Sequence, residues 1–298
     1  MILYTMFPPT PDVPNDQRGV ATASLRYEDV AQDGRIRLTS LTHFLGRTLW
    51  QNPVARGTLA RAAGKEGILP ILTRLILEGG PGPHSVAKPV VGHGRLELAH
   101  TVDETGAVNR VLLNMWVEMT APAARTHGPP PPNAGETLAA GRVFGEHVFT
   151  RPFAPREDRR VVSLPGLHGA PTAHYVWRPG EELLGLPPGA TPLDEDHLPD
   201  ETAIVFGLTH SDSNRHVNSL VYPNLFEEAA LRRFHARGRG ANVLARRMEV
   251  AYRKPCFAGE TYRIVLRAYE HQGKLGATGV FVPAAGGHPH CHLAATFD

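Results

Sequence analysis

The chain holds 298 residues, with 31 Lys and Arg against 29 Asp and Glu for a formal net charge of +2. That balance supplies no large field for nucleic acid or an anionic membrane, so neither is expected as a partner. Two cysteines are too few for a disulfide framework, no basic start is followed by an apolar run of roughly 7 to 15 residues, and no apolar stretch approaches the ~20 residues that cross a bilayer; a cytoplasmic protein of one large domain or two is expected.

In chain order, residues 1–20 carry four prolines and little periodicity and read as an irregular lead-in. A short strand candidate lies around Leu25–Tyr27. In residues 38–50, Leu38, Leu41, Leu45 and Leu49 recur at helical spacing, with Thr39 or Ser40 as caps, and predict a helix with a buried face. His43 within it is read as a packed core residue. Three strands follow in "ILPILTRLILE", "SVAKPVVGHGRLELAHTV" and "VNRVLLNMWVEMTA", the last two joined by the turn "DETGA". Residues 21–120 are therefore taken as a first domain.

Residues 121–141 hold a four-proline run and almost no apolar pattern, which predicts a polyproline-like linker. Residues 142–298 form the second domain, beginning with short strand candidates and a Pro- and acid-rich loop region up to about 201. From 202 the earlier order returns: the strand "TAIVFGLTH", a helix within 223–237, then "RMEVAYRK", "ETYRIVLRAYE", "KLGATGVFVP" and "HCHLAATF". Tyr262, Ile264 and Leu266 alternate with Arg263, Val265 and Arg267, as in a sheet with one covered face. A sheet that buries one face needs a cover, and each half offers one long helix. The expected fold is α+β, two tandem antiparallel sheets each around a central helix.

The stretch "HSDSNRHVNSLVYPNLFEEA", 210–229, sets Asp212, Asn214 and His216 at every second position, one face of an extended segment. Asn218 and Ser219 are good helix caps and Pro223 suits a first turn. Leu225, Phe226, Ala229, Ala230 and Phe234 then form an apolar stripe. The positive helix N-terminus thus points at the three polar residues, and backbone N–H groups from Val217 to Ser219, those of Val217 and Asn218 above all, are expected to receive an oxyanion. An amide, an imidazole and a carboxylate beside these N–H groups make geometry for acyl chemistry available. No Gly-x-Ser-x-Gly motif offers a serine nucleophile.

The motif resembles the hotdog-fold acyl thioesterases, and most of all the plant-type acyl-carrier-protein thioesterases, which carry Asp-x-Asn-x-His-Val-Asn-Asn-x-x-Tyr in the second of two tandem hotdog domains. The resemblance is close over residues 210–256. It implies a double hotdog in which Asp212, Asn214 and His216 are the catalytic trio, the first domain shapes the acyl pocket, and the second holds the single active site. Cys256 in "YRKPC" matches a cysteine near that site. The family places a glutamate before this cysteine, where this chain has Pro255, so the general base falls to Asp212, Glu228 or His216. The implied activity is hydrolysis of an acyl thioester of acyl carrier protein or coenzyme A by water, without a covalent intermediate and without a metal or redox cofactor. The alternatives are a hydroxyacyl-thioester dehydratase or isomerase and a non-catalytic acyl-binding protein of a fatty-acid or polyketide pathway. A monomer or a homodimer fits either case.

Plainer readings stand beside these. Glu228 has Arg232 four residues on as an ion-pair partner, and Cys256 suits an ordinary buried position. "HPHCH", 288–292, lacks a neighbouring carboxylate and reads as a strand end rather than a metal site. "GHGRLE" has the wrong glycine spacing for a phosphate loop.

Overall fold

The computed structural model describes residues 6–240 and 243–298. Contacts divide the chain into two units, Phe7–Trp177 and a second from Arg178 to Asp298. In the first, β1 (Arg18–Ser24) is followed by helical turns α1 (Leu38–Leu41) and α2 (His43–Leu45), a π-helical run Gly46–Val54 and α3 (Thr58–Lys65). Then come β2 (Leu69–Gly79), β3 (Pro89–Val102), β4 (Val108–Pro122), β5 (Thr137–Thr150) and the two-residue β6 (Ala173–His174). The long strands lie in the order β1-β3-β4-β5-β2, all antiparallel.

The leucine periodicity places the helical run on this sheet. Leu38, Leu41, Leu45 and Leu49 are all buried, and glycines let the backbones approach. A Cβ on Gly92 would meet Phe44 at 2.5 Å, and one on Gly141 would meet Leu41 at 2.7 Å. The run is less regular than its spacing predicts: it widens to π-helix from Gly46, with Pro53 inside it, consistent with a proline that lacks an N–H and crowds the preceding turn. Its start is at Arg37, without a side-chain cap. The expected cap Ser40 instead donates to the buried carboxylate of Asp29 at 2.9 Å. His43 is exposed rather than packed in the core.

The opposite face of the sheet carries Ile76, Trp116 and Phe144, which Phe7 and Tyr175 cover. Trp116 donates its indole N–H to the Pro8 carbonyl at 3.2 Å, so part of the proline-rich lead-in serves as a cover. The expected linker at 121–141 is corrected here. Its prolines sit at the tip of the β4–β5 hairpin, where missing N–H groups cost no ladder bond. Ala123 N–H donates to Glu136 at 2.7 Å and Gly135 N–H to Ala123 at 2.9 Å, which extends the pairing past the strand ends. The first unit therefore runs through β5 and closes at Trp177.

The second unit contains β7 (Thr191–Pro192), β8 (Leu198–Pro199), β9 (Ile204–Val205), α4 (Val221–Ala236), β10 (Ala245–Tyr252), β11 (Thr261–His271), β12 (Lys274–Pro283) and β13 (Cys291–Phe297). Its strands run β10-β13-β12-β11, with the three short strands all pairing with β11. Counting β9 as the first strand, the order β9-β11-β12-β13-β10 repeats β1-β3-β4-β5-β2, and in both units the main helix falls between the first and second strands. The architectural repeat expected from the element order is thus a repeat of topology. On β11, Tyr262, Ile264, Leu266 and Ala268 are buried as the alternation predicts. α4 lies across these strands: Phe226 fills the space beside Gly279, and the rings of Phe234 and Phe297 meet edge to face at 5.0 Å.

The C-terminal half of α4 is held by the 191–200 segment. Asp194, its side chain fully buried, receives Arg233 at 3.0 Å and Arg237 at 2.7 Å, and also accepts the Ala268 N–H at 2.9 Å. Arg232 pairs with Asp200 at 2.5 Å. These arginines, placed at the helix end where cations favour the dipole, thus have specific partners.

Candidate active site

The Asp212–His216 stretch is a tight turn rather than the extended segment predicted. Ser211 and Val217 form an antiparallel bridge, Asp212 N–H donates to His216 O at 3.1 Å and Arg215 N–H to Asp212 O at 3.0 Å. Arg215 adopts φ 64°, the left-handed conformation a turn of this kind needs. Asp212 itself builds the turn: its Oδ1 accepts the Asn214 N–H at 2.8 Å, an Asx-turn that aspartate favours for its short carboxylate. Its Oδ2 accepts from Asn218 Nδ2 at 3.3 Å.

Asn218 links this turn to α4. Its Oδ1 accepts the Leu220 N–H at 2.9 Å, and its carbonyl accepts Val221 N–H at 3.0 Å. The helix N-cap is Leu220 and no side chain caps α4, so neither Asn218 nor Ser219 takes the expected capping role. Ser219 offers its carbonyl to the Tyr252 hydroxyl at 2.7 Å.

Both backbone groups expected to form an oxyanion site are already engaged. Val217 N–H donates to Cys256 O and Asn218 N–H to His210 O, each at 2.8 Å. The bridge that closes the turn takes the Asn218 N–H, and the segment carrying Cys256 takes that of Val217. Ser219 N–H, one residue on, donates to no group among the described residues.

His216 is half-buried, with Nδ1 3.2 Å from the Val217 carbonyl. A carbonyl oxygen only accepts, so the neutral ring carries its proton on Nδ1 and presents a lone pair at Nε2. Asn214 is exposed at the turn's tip.

Two further predicted residues lie in other settings. Glu228 stands on the exposed side of α4, 4.0 Å from Arg232, which matches the ion-pair reading. Cys256 is fully buried, and burial pushes its thiol pKa up, so it stays protonated at neutral pH and is a poor nucleophile. Its backbone matters more: the N–H points to the Tyr222 hydroxyl at 3.2 Å and the carbonyl holds Val217.

The sequence reading missed His290, which it treated as part of a strand end. His290 Nδ1 lies 3.7 Å from Cys256 Sγ, 3.0 Å from the Tyr262 hydroxyl and 3.1 Å from the Pro255 carbonyl. Its neighbours in "HPHCH" go elsewhere: His292 is buried with Nε2 3.9 Å from Glu181, and His288 is exposed. The alternation of three histidines hid their different partners.

The α+β chain, whose two halves share one strand order, has the fold of solved acyl-ACP thioesterases. Among solved structures, it is similar to an acyl-ACP thioesterase from Bacteroides thetaiotaomicron, at 13% identity and a TM-score of 0.58, covering 95% of this chain and 98% of that one. It is equally similar to the 12:0-ACP thioesterase from Umbellularia californica, at 12% identity and a TM-score of 0.59, covering 95% and 94%. At such identities the likeness is one of fold, and it agrees with the relationship to hotdog thioesterases expected from the motif. No protein-family model and no curated protein sequence matches the chain.

Proposed function

We propose that the protein is a tandem double-hotdog thioesterase, each sheet wrapped around its helix, that hydrolyses an acyl thioester carried by acyl carrier protein or coenzyme A. The observation that carries this reading is the His216 ring, whose Nδ1–H is held by a backbone carbonyl while Nε2 is presented as a base, at the head of α4. In the reaction, Nε2 takes a proton from water as its oxygen attacks the thioester carbon. The carbonyl oxygen, becoming an oxyanion, is met by the Asn214 amide and the Ser219 N–H. Collapse of the tetrahedral intermediate breaks the carbon–sulfur bond, and protonated His216 returns its proton to the leaving thiolate. The products are a carboxylic acid and a free thiol.

Asp212 serves this geometry by holding the turn: its two oxygens tie Asn214 to Asn218. Cys256 and Glu228 take no part in bond making, the first buried and protonated and the second solvent-facing. The test is release of free thiol from acyl-ACP and acyl-CoA substrates of graded chain length. His216→Ala is expected to lower kcat about 10²- to 10⁴-fold and Asp212→Asn about 10- to 100-fold through misplacement of the turn. Absence of thiol release from every substrate overturns the proposal.

A further inference from the structure

Pro255 occupies the position where the resemblance implies a carboxylate, and what surrounds it is a brace. The Pro255 carbonyl lies 3.1 Å from His290 Nδ1, which fixes the proton on that nitrogen because a carbonyl cannot donate. The same N–H is shared with the Tyr262 hydroxyl oxygen at 3.0 Å. Tyr262 then sends its own proton to Glu260 Oε2 at 3.0 Å, and that oxygen also accepts the Phe257 N–H at 2.9 Å. Residues from the start of β11, from the loop ahead of it and from the residue before β13 thus meet at one imidazole. Burial lowers the pKa of His290 and favours the neutral ring this pattern requires.

The brace reaches His216 in few steps. Pro255 is followed by Cys256, whose carbonyl accepts the Val217 N–H at 2.8 Å and whose N–H points to Tyr222 in the first turn of α4. Val217 directly follows His216, and its own carbonyl holds the His216 ring. One hydrogen bond at each end and a short run of covalent bonds between them join the His290 ring to the catalytic turn.

We infer that His290 is a positioning residue for His216: with Tyr262 and Glu260 it fixes the 255–257 segment on which the Asp212–Val217 turn is seated. Its kinetic consequence rests on the hydrolase reading above, whereas its structural consequence does not. The brace supplies the anchoring for which Pro255 offers no polar side-chain group.

Two substitutions separate the roles of the ring atoms. Asparagine places its side-chain N–H close to where histidine holds Nδ1–H, so His290→Asn keeps the bond to Pro255, and His290→Leu does not. Amide hydrogen exchange over residues 211–222 is measured first. His290→Leu is expected to speed exchange of Val217 on the order of tenfold, and His290→Asn to restore protection. On the best thioester, the leucine variant is expected to lose about 10- to 100-fold in kcat with KM within about twofold, and the asparagine variant to recover most of it. Tyr262→Phe, which removes one acceptor while retaining the ring, is expected to act in the same direction more weakly and serves if the leucine variant fails to fold. Val217 exchange unchanged in the leucine and phenylalanine variants overturns the inference, even in a protein that proves to have no thioesterase activity. So does a kcat that asparagine fails to restore while it restores Val217 protection.

Discussion

His147 and His216 make the same bond, each placing Nδ1 3.2 Å from a backbone carbonyl, Leu113 for the first and Val217 for the second. Their surroundings differ. His147 is buried beside Trp50, the rings 5.2 Å apart, and burial lowers its pKa from 6.5 to about 4. In the unfolded chain it accepts a proton near 6.5, so the unfolded state binds more protons than the native state between these values. Stability is therefore whole above pH 6.5 and is lost as pH falls toward 4. We expect His147 to contribute about 2 kcal/mol or more of lost stability by pH 4.5. Urea denaturation at pH 7 and 4.5, comparing wild type with His147→Leu, checks this: the variant is expected to lose less on acidification, and an equal loss contradicts the assignment. At this scale the sequence showed which residue types gather at 212–216, because alternating Asp, Asn and His are legible by identity. It did not show that Val217 and Asn218 spend their N–H groups, since their acceptors, Cys256 and His210, are set by tertiary pairing. His290 was illegible for the same reason.

Helices and strands were more readable. Leucines at 38, 41, 45 and 49 marked the buried face of the first helical run, and alternation on β11 marked its covered face. The widening to π-helix and the two-residue length of β9 were not marked, because both depend on what packs against them. Close approach of helix to sheet makes one element-scale prediction. A Cβ at Gly19 of β1 would fall 1.8 Å from the Thr48 carbonyl oxygen, a backbone atom that cannot swing aside. Gly19→Ala is expected to cost about 1–3 kcal/mol or more in urea denaturation; a stability equal to wild type contradicts this packing. The clamp on α4 makes a second. Removing the buried Asp194 carboxylate leaves Arg233, whose side chain is 11% exposed, with carbonyl partners but no carboxylate, and the Ala268 N–H without its acceptor. Asp194→Ala is expected to lose about 3 kcal/mol, measured the same way, and a loss within about 0.5 kcal/mol, the range usual for surface substitutions, contradicts it.

Across the whole chain, the repeat of one helix followed by antiparallel strands was visible in the order of elements, and the structure turns it into one strand order used twice. The division between the units was misread. Composition at 121–141 resembles a linker, but prolines at a hairpin tip look the same in sequence as prolines between domains, and only the β4–β5 pairing distinguishes them. Fold, turn and helix together support hydrolysis of acyl thioesters, and fold alone does not select that chemistry. The direct test is the rate of thiol release from acyl-ACP by wild type and by His216→Ala, at equal concentration and with matched unfolding midpoints. Wild type is expected to turn over and the variant to lose at least about 10²-fold. Equal rates in the two proteins would contradict it.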